Sequence, residues 1–146
     1  MIRLCLAVIA AVIMSQSAHA AAENYAEALR CHSSFAPELG EDNAAILCRG
    51  ITSRNATAVH NCVSNYRGTS ANATIAVLCQ GIDYSITTAT MNCLTDAMDL
   101  ASEADAAVLC QRTSYRVYTS KMNCFRTALE TMSTATAAQL CGGISE

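Results

Sequence analysis

A cysteine thiol can form a disulfide, ligate a soft metal or act as a nucleophile, and spacing separates the three. In this chain Cys31, Cys48, Cys62, Cys79, Cys93, Cys110, Cys124 and Cys141 follow one another at alternating separations of 17 and 14 residues. No CxxC pair occurs, so neither a thioredoxin-type redox motif nor a zinc ribbon is indicated. An even, evenly spaced set reads as disulfides, which require an oxidising compartment.

The other reactive side chains form no recognisable set. His32 adjoins Cys31, whose thiol is committed to a disulfide, and His60 stands where Met91 and Met122 stand in later copies of the same pattern. No GxSxG elbow frames a serine nucleophile. The acid pairs Asp96/Asp99 and Glu41/Asp42 fit solvated helix faces or caps, and Met91, Met98, Met122 and Met132 fit core positions at helical spacing. Asn55-Ala56-Thr57 and Asn72-Ala73-Thr74 match the glycosylation acceptor pattern but read as helix caps under a bacterial-looking leader. The sequence thus offers no catalytic residue, no metal site and no cofactor site.

The elements that position the cysteines follow from the period. Residues 1–20 read as a secretory signal peptide: Arg3 gives a positive start, Leu4 to Met14 an apolar run, and Ala18-His19-Ala20 a cleavage site. The apolar run is too short to span a bilayer. It carries away Cys5 and leaves an even eight cysteines in one domain, residues 21–146. That domain divides into units of 31 residues: 31–61, 62–92, 93–123 and a shortened 124–146. A fixed period of this size is the mark of a stacked repeat.

Each unit reads as two helices. Ile75, Leu78, Cys79 and Ile82 fall on one face of a helix, as do Ala44, Leu47, Cys48 and Ile51 and, in the last unit, Ala137, Leu140, Cys141 and Ile144. Ser102-Glu103-Ala104-Asp105 resembles an N-cap with acids in the first turn. Gly50, Gly81 and Gly143 follow the second cysteine of their units by two residues, with Arg112 the exception, and the glycines after Cys48 and Cys79 read as helix stops. Residues 21–30 complete the first helix of the first unit.

Helix heights choose among the possible cysteine pairings. Around a hairpin turn near Ala101, Cys93 and Cys110 both lie about 12–14 Å from the turn at about 1.5 Å per residue, side by side. Pairing Cys79 with Cys93 across the turn near Asp83 would leave a mismatch of about 9 Å, beyond the reach of a disulfide. The expected pairs are therefore Cys31–Cys48, Cys62–Cys79, Cys93–Cys110 and Cys124–Cys141. The expected fold is all-α: a short α-solenoid of four disulfide-stapled helical hairpins, with neighbour contacts only.

Composition limits the partners. Removing Arg3 leaves 8 basic against 12 acidic residues, a net charge of −4, with no basic cluster, so neither nucleic acid nor an anionic membrane surface is an expected partner. Differences between copies mark a candidate surface. Phe35 and Tyr66 share a position that becomes Ala97 and Ala128, while Tyr84 and Tyr115 share another at the turns between units. Tyr84, Tyr115, Arg116 and Tyr118 are the candidate binding residues, because Tyr and Arg anchor protein interfaces. The same tyrosines could simply cover the junctions between units. The expected product is an exported, periplasmic or extracellular, non-enzymatic scaffold that binds a protein or peptide. The alternatives are a carrier of a small apolar ligand between helices and, third, an extracellular hydrolase or inhibitor.

Overall fold

The computed structural model describes residues 23–145. The leader segment and Cys5 lie outside the described residues. The described chain is all-helical: α1 (residues 23–39), α2 (Glu41–Leu47), α3 (Ala56–Tyr66), α4 (Asn72–Cys79), α5 (Thr87–Met98), α6 (Glu103–Cys110), α7 (Tyr115–Ala128) and α8 (Thr134–Gly142). Long and short helices alternate, one pair to each unit.

Each pair is closed by one disulfide. Cys31 joins Cys48, Cys62 joins Cys79, Cys93 joins Cys110 and Cys124 joins Cys141, with Cα atoms 5.5 to 5.7 Å apart. The second helices have only 7 to 9 residues, too few to persist alone in water. Each closure of a 17-residue separation restricts the unfolded chain, contributing about 3 kcal/mol. No helix among the described residues is long and apolar enough to cross a membrane. The four disulfides fit an oxidising compartment.

The second helices stack on one another, α2 on α4, α4 on α6 and α6 on α8. Burial shows the polarity of that column. Leu47, Leu78 and Leu109 are sealed, whereas Leu140, at the same position of the last unit, is 60% exposed. Conversely, Ala76, Ala107 and Ala138 are sealed and Ala45, in the first unit, is exposed. A leucine face thus lacks cover at one end of the column and an alanine face at the other. Small residues let the column close tightly: a Cβ on Gly142 would lie 2.7 Å from the Val108 carbonyl oxygen of the preceding unit.

The helix ends follow local rules. Ser102 accepts from the Asp105 N–H and Ser133 from the Thr136 N–H, each capping its helix. Gly50 and Gly81 stop α2 and α4 in the left-handed region, at φ 75° and 64°. Arg112 adopts the same turn at φ 53°, and it is the one non-glycine residue with positive φ among those described. Gly143 does not, with φ −72°. Asn55 occupies the N-cap position of α3, but its Oδ1 accepts from Thr52 rather than from the helix. Asn72 opens α4 and ties it back to unit one, donating to the Glu38 and Leu39 carbonyls. Of the methionines, Met122 is in the core and Met98 is about half exposed.

Candidate functional site: a groove at the turns between units

The turns that follow α4 and α6, together with the residues after α8, surround an open groove of about 920 Å³. Gly81, Asp83 and Ser85 come from the first turn, Gln111 and Arg112 from the second, and Gly142 to Ser145 from the last. The first turn of α7 forms one wall through Tyr115, Arg116 and Val117, and Lys121 reaches the groove from the next turn. Stacking brings these segments together. Successive copies of one turn lie side by side, as the bond from Gln111 Nε2 to Gln80 Oε1 (2.6 Å) records between residues one full repeat apart.

Three cations line the groove, Arg112, Arg116 and Lys121, and two of them, Lys121 and Arg112, depart from the repeat. Lys121, the chain's single lysine, occupies the position held by Val59 and Thr90 in earlier units, all three buried. Its side chain is 1% exposed. Its Nζ donates to the carbonyl oxygens of Gln111 (3.0 Å) and Leu109 (3.3 Å) at the C-terminal end of α6. Those acceptors suit a cation at a helix C-terminus, but neither is a counter-charge. Burial holds the Lys121 ammonium below its ordinary value, because desolvation disfavours the charged form. An effective penalty of several kcal/mol attaches to a buried ion, and carbonyl hydrogen bonds offset only part of it.

Arg112 is the second departure. Its left-handed backbone costs about 1 kcal/mol relative to the glycine of sister units. The cost places a guanidinium over Gly81, whose Cβ position lies 3.5 Å from Arg112 Nε. The groove's carboxylate, Asp83, is turned towards its own loop: Oδ1 accepts from the Ser85 hydroxyl (2.6 Å) and the Ser85 N–H (2.8 Å). The Ser85 hydroxyl bond is the chief reason Asp83 titrates below the usual carboxylate range, with Arg112 a lesser contributor. The groove therefore gathers Arg112, Arg116 and Lys121 against Asp83.

The wall formed by α7 adds a further feature. Its N-cap, Ser114, has no side-chain capping bond to the helix, in contrast to Ser102 and Ser133. The first N–H groups of a helix have no partner within it, and the helix dipole makes that end positive.

The residues singled out in the sequence are divided by the structure. Tyr115 and Arg116 line the groove, with Tyr115 60% exposed. Tyr84 is exposed outside the lining, and its hydroxyl accepts from Asn61 Nδ2 (3.3 Å). Tyr118 is half-buried against the second core cluster, its hydroxyl donating to Asp96. That bond is the chief cause raising the Tyr118 hydroxyl above its usual range. The histidines sit elsewhere: His60 stacks on Phe35 with ring centroids 4.6 Å apart, and His32 Nε2 lies 3.2 Å from Glu41. Among the described residues, no group of three or more His, Cys, Asp or Glu could hold a metal ion.

Lys121 was missed by motif reading, although a signal existed. Aligning the units places Val59, Thr90 and Lys121 in one column, and a lone cation in a column otherwise uncharged is conspicuous. The same alignment places Thr113 among Ile51, Ile82 and Ile144. Thr113 is buried; its carbonyl accepts from Thr90 Oγ1 (3.2 Å), while its own Oγ1 has no hydrogen-bond partner among the described residues. The third unit thus carries a cation in an otherwise uncharged buried column and a threonine in a column of isoleucines. The chain matches no known protein family, no characterised protein and no solved structure with which it was compared.

Proposed function

We propose that this protein is an exported, non-enzymatic binding scaffold whose partner is a protein or peptide. The observation that carries the reading is Tyr115 and Arg116 on the rim of an open groove built from the ends of three units, each braced by a disulfide. Tyr and Arg supply much of the binding energy at protein interfaces, and a braced surface loses little freedom on binding. Among the described residues the groove lining contains no histidine or cysteine, and its serine–aspartate pair, Ser85 and Asp83, is a local turn bond with no base among them to activate the hydroxyl. Export is part of the same proposal, resting on the leader sequence and the disulfides.

A photo-reactive side chain substituted at Tyr115 tests the reading. In the native exported fraction it should cross-link to a polypeptide, and excess unmodified protein should suppress that cross-link. Recovery of a lipid-like molecule by solvent extraction, with no polypeptide cross-link, would favour the apolar carrier instead.

A further inference from the structure

We infer that the groove is a carboxylate-recognition site that takes an acidic segment of a peptide; this inference rests on the scaffold reading above. Two independent departures from the repeat converge there. Lys121 replaces the buried Val59 and Thr90 of its column, and Arg112 replaces Gly50 and Gly81 in a left-handed turn. Each local choice makes the fold worse than the residue its sister unit uses. Such violations, when they gather in one place, mark function rather than folding. Both residues are cationic, and both line the same groove.

The chemistry fits an oxyanion. Lys121 is enclosed, its hydrogen-bonding partners are two carbonyls, and an ammonium has three donors. A carboxylate entering the groove would supply the counter-charge that the two carbonyls do not. Arg112 offers a planar guanidinium suited to paired hydrogen bonds with a carboxylate, and the positive dipole end of α7 lies at the same groove. Asp83, the groove's own carboxylate, is engaged by Ser85. Apolar surface from Ile86, Val117 and Ile144 lies beside the cations. An acidic residue flanked by an apolar one therefore matches the site better than a bare anion. Neutral peptides are the poorer match, because they would bring no counter-charge to the enclosed Lys121.

The test uses the disulfide-bonded protein and the capped peptide N-acetyl-Asp-Leu-Asp-Leu-amide, followed by amide chemical shifts and titration calorimetry. The peptide should shift the resonances of Ser114 to Val117 and of Gly142 and Gly143, and its Asn-Leu-Asn-Leu analogue should bind at least about ten-fold more weakly. Lys121→Met and Arg112→Gly should each weaken the acidic peptide at least about ten-fold while melting at the same or a higher temperature than the parent. A purely structural role for either cation predicts the reverse, a lower melting temperature with binding intact. Equal binding of the Asn peptide at the groove would overturn the carboxylate assignment and leave the scaffold reading standing. Inorganic phosphate binding there more tightly than the peptide would overturn it in favour of phosphate. Shifts from none of these probes would overturn the carboxylate site, and a Tyr115 cross-link to a polypeptide would then show that the scaffold reading survives it.

Discussion

Arg112 and Gly81 hold the same position in successive units, and the side chain of one covers the backbone of the other: the Gly81 Cβ position lies 3.5 Å from Arg112 Nε and 3.6 Å from Cζ. The glycine accommodates the turn and the arginine is forced into it. Arg112→Gly should raise stability by about 1 kcal/mol, read as a melting temperature a few degrees higher. Gly81→Ala should lower stability by a similar amount, since φ 64° is strained for alanine. Thermal melts monitored by circular dichroism check both.

Lys121 makes stability depend on alkaline pH. Its folded-state pKa lies below the ordinary 10.5, so between those two values the unfolded chain binds more protons than the folded one. Stability should therefore rise with pH across that window, and the burial penalty should be present in full below it. Lys121→Met should remove this rise and stabilise the protein at neutral pH. Denaturant melts at pH 7 and at pH 10, run on both proteins, measure the difference.

Gly142 marks the closest approach of the last unit to the one before. A methyl group there would meet the Val108 carbonyl oxygen at 2.7 Å. Gly142→Ala should cost about 1–3 kcal/mol through overpacking, whereas Gly143→Ala, with its nearest neighbour at 3.7 Å and φ of −72°, should be close to neutral. Comparing the two melts isolates the contact between units from the effect of losing a glycine.

The two tyrosines of α7 should separate in behaviour. Tyr115 is 60% exposed, so Tyr115→Ala should leave stability nearly unchanged and weaken partner binding. Tyr118 packs against the second core cluster and donates to Asp96, so Tyr118→Ala should lower stability by about 1–2 kcal/mol. Tyr118→Phe should keep most of it. Equal losses of stability at both positions would contradict this division.

Reduction of the four disulfides should unfold the protein or leave it molten at moderate temperature. The second helices are short, and much of the interior is alanine, which buries little apolar area. Circular dichroism with and without reductant measures this. An unchanged melting transition after complete reduction would show that packing alone suffices.

The sequence by itself determined the unit, its two helices and the cysteine pairing. These follow from order along the chain: a period of 31 residues, a helical rise fixed by backbone geometry, and the short reach of a disulfide. Ser102 as a cap and Gly50 and Gly81 as stops were legible for the same reason, since each acts within a few residues of itself. The groove was not legible in that way. It needs the turn after α4, the turn after α6, a side chain from the second turn of α7 and the residues after α8, and only stacking brings these together. Tyr84, Tyr115, Arg116 and Tyr118 are close in the repeat pattern, but helix rotation directs Tyr118 to Asp96 and leaves Tyr115 and Arg116 at the groove. The burial of Lys121 was decided by α6, whose terminal carbonyls it reaches from the neighbouring helix.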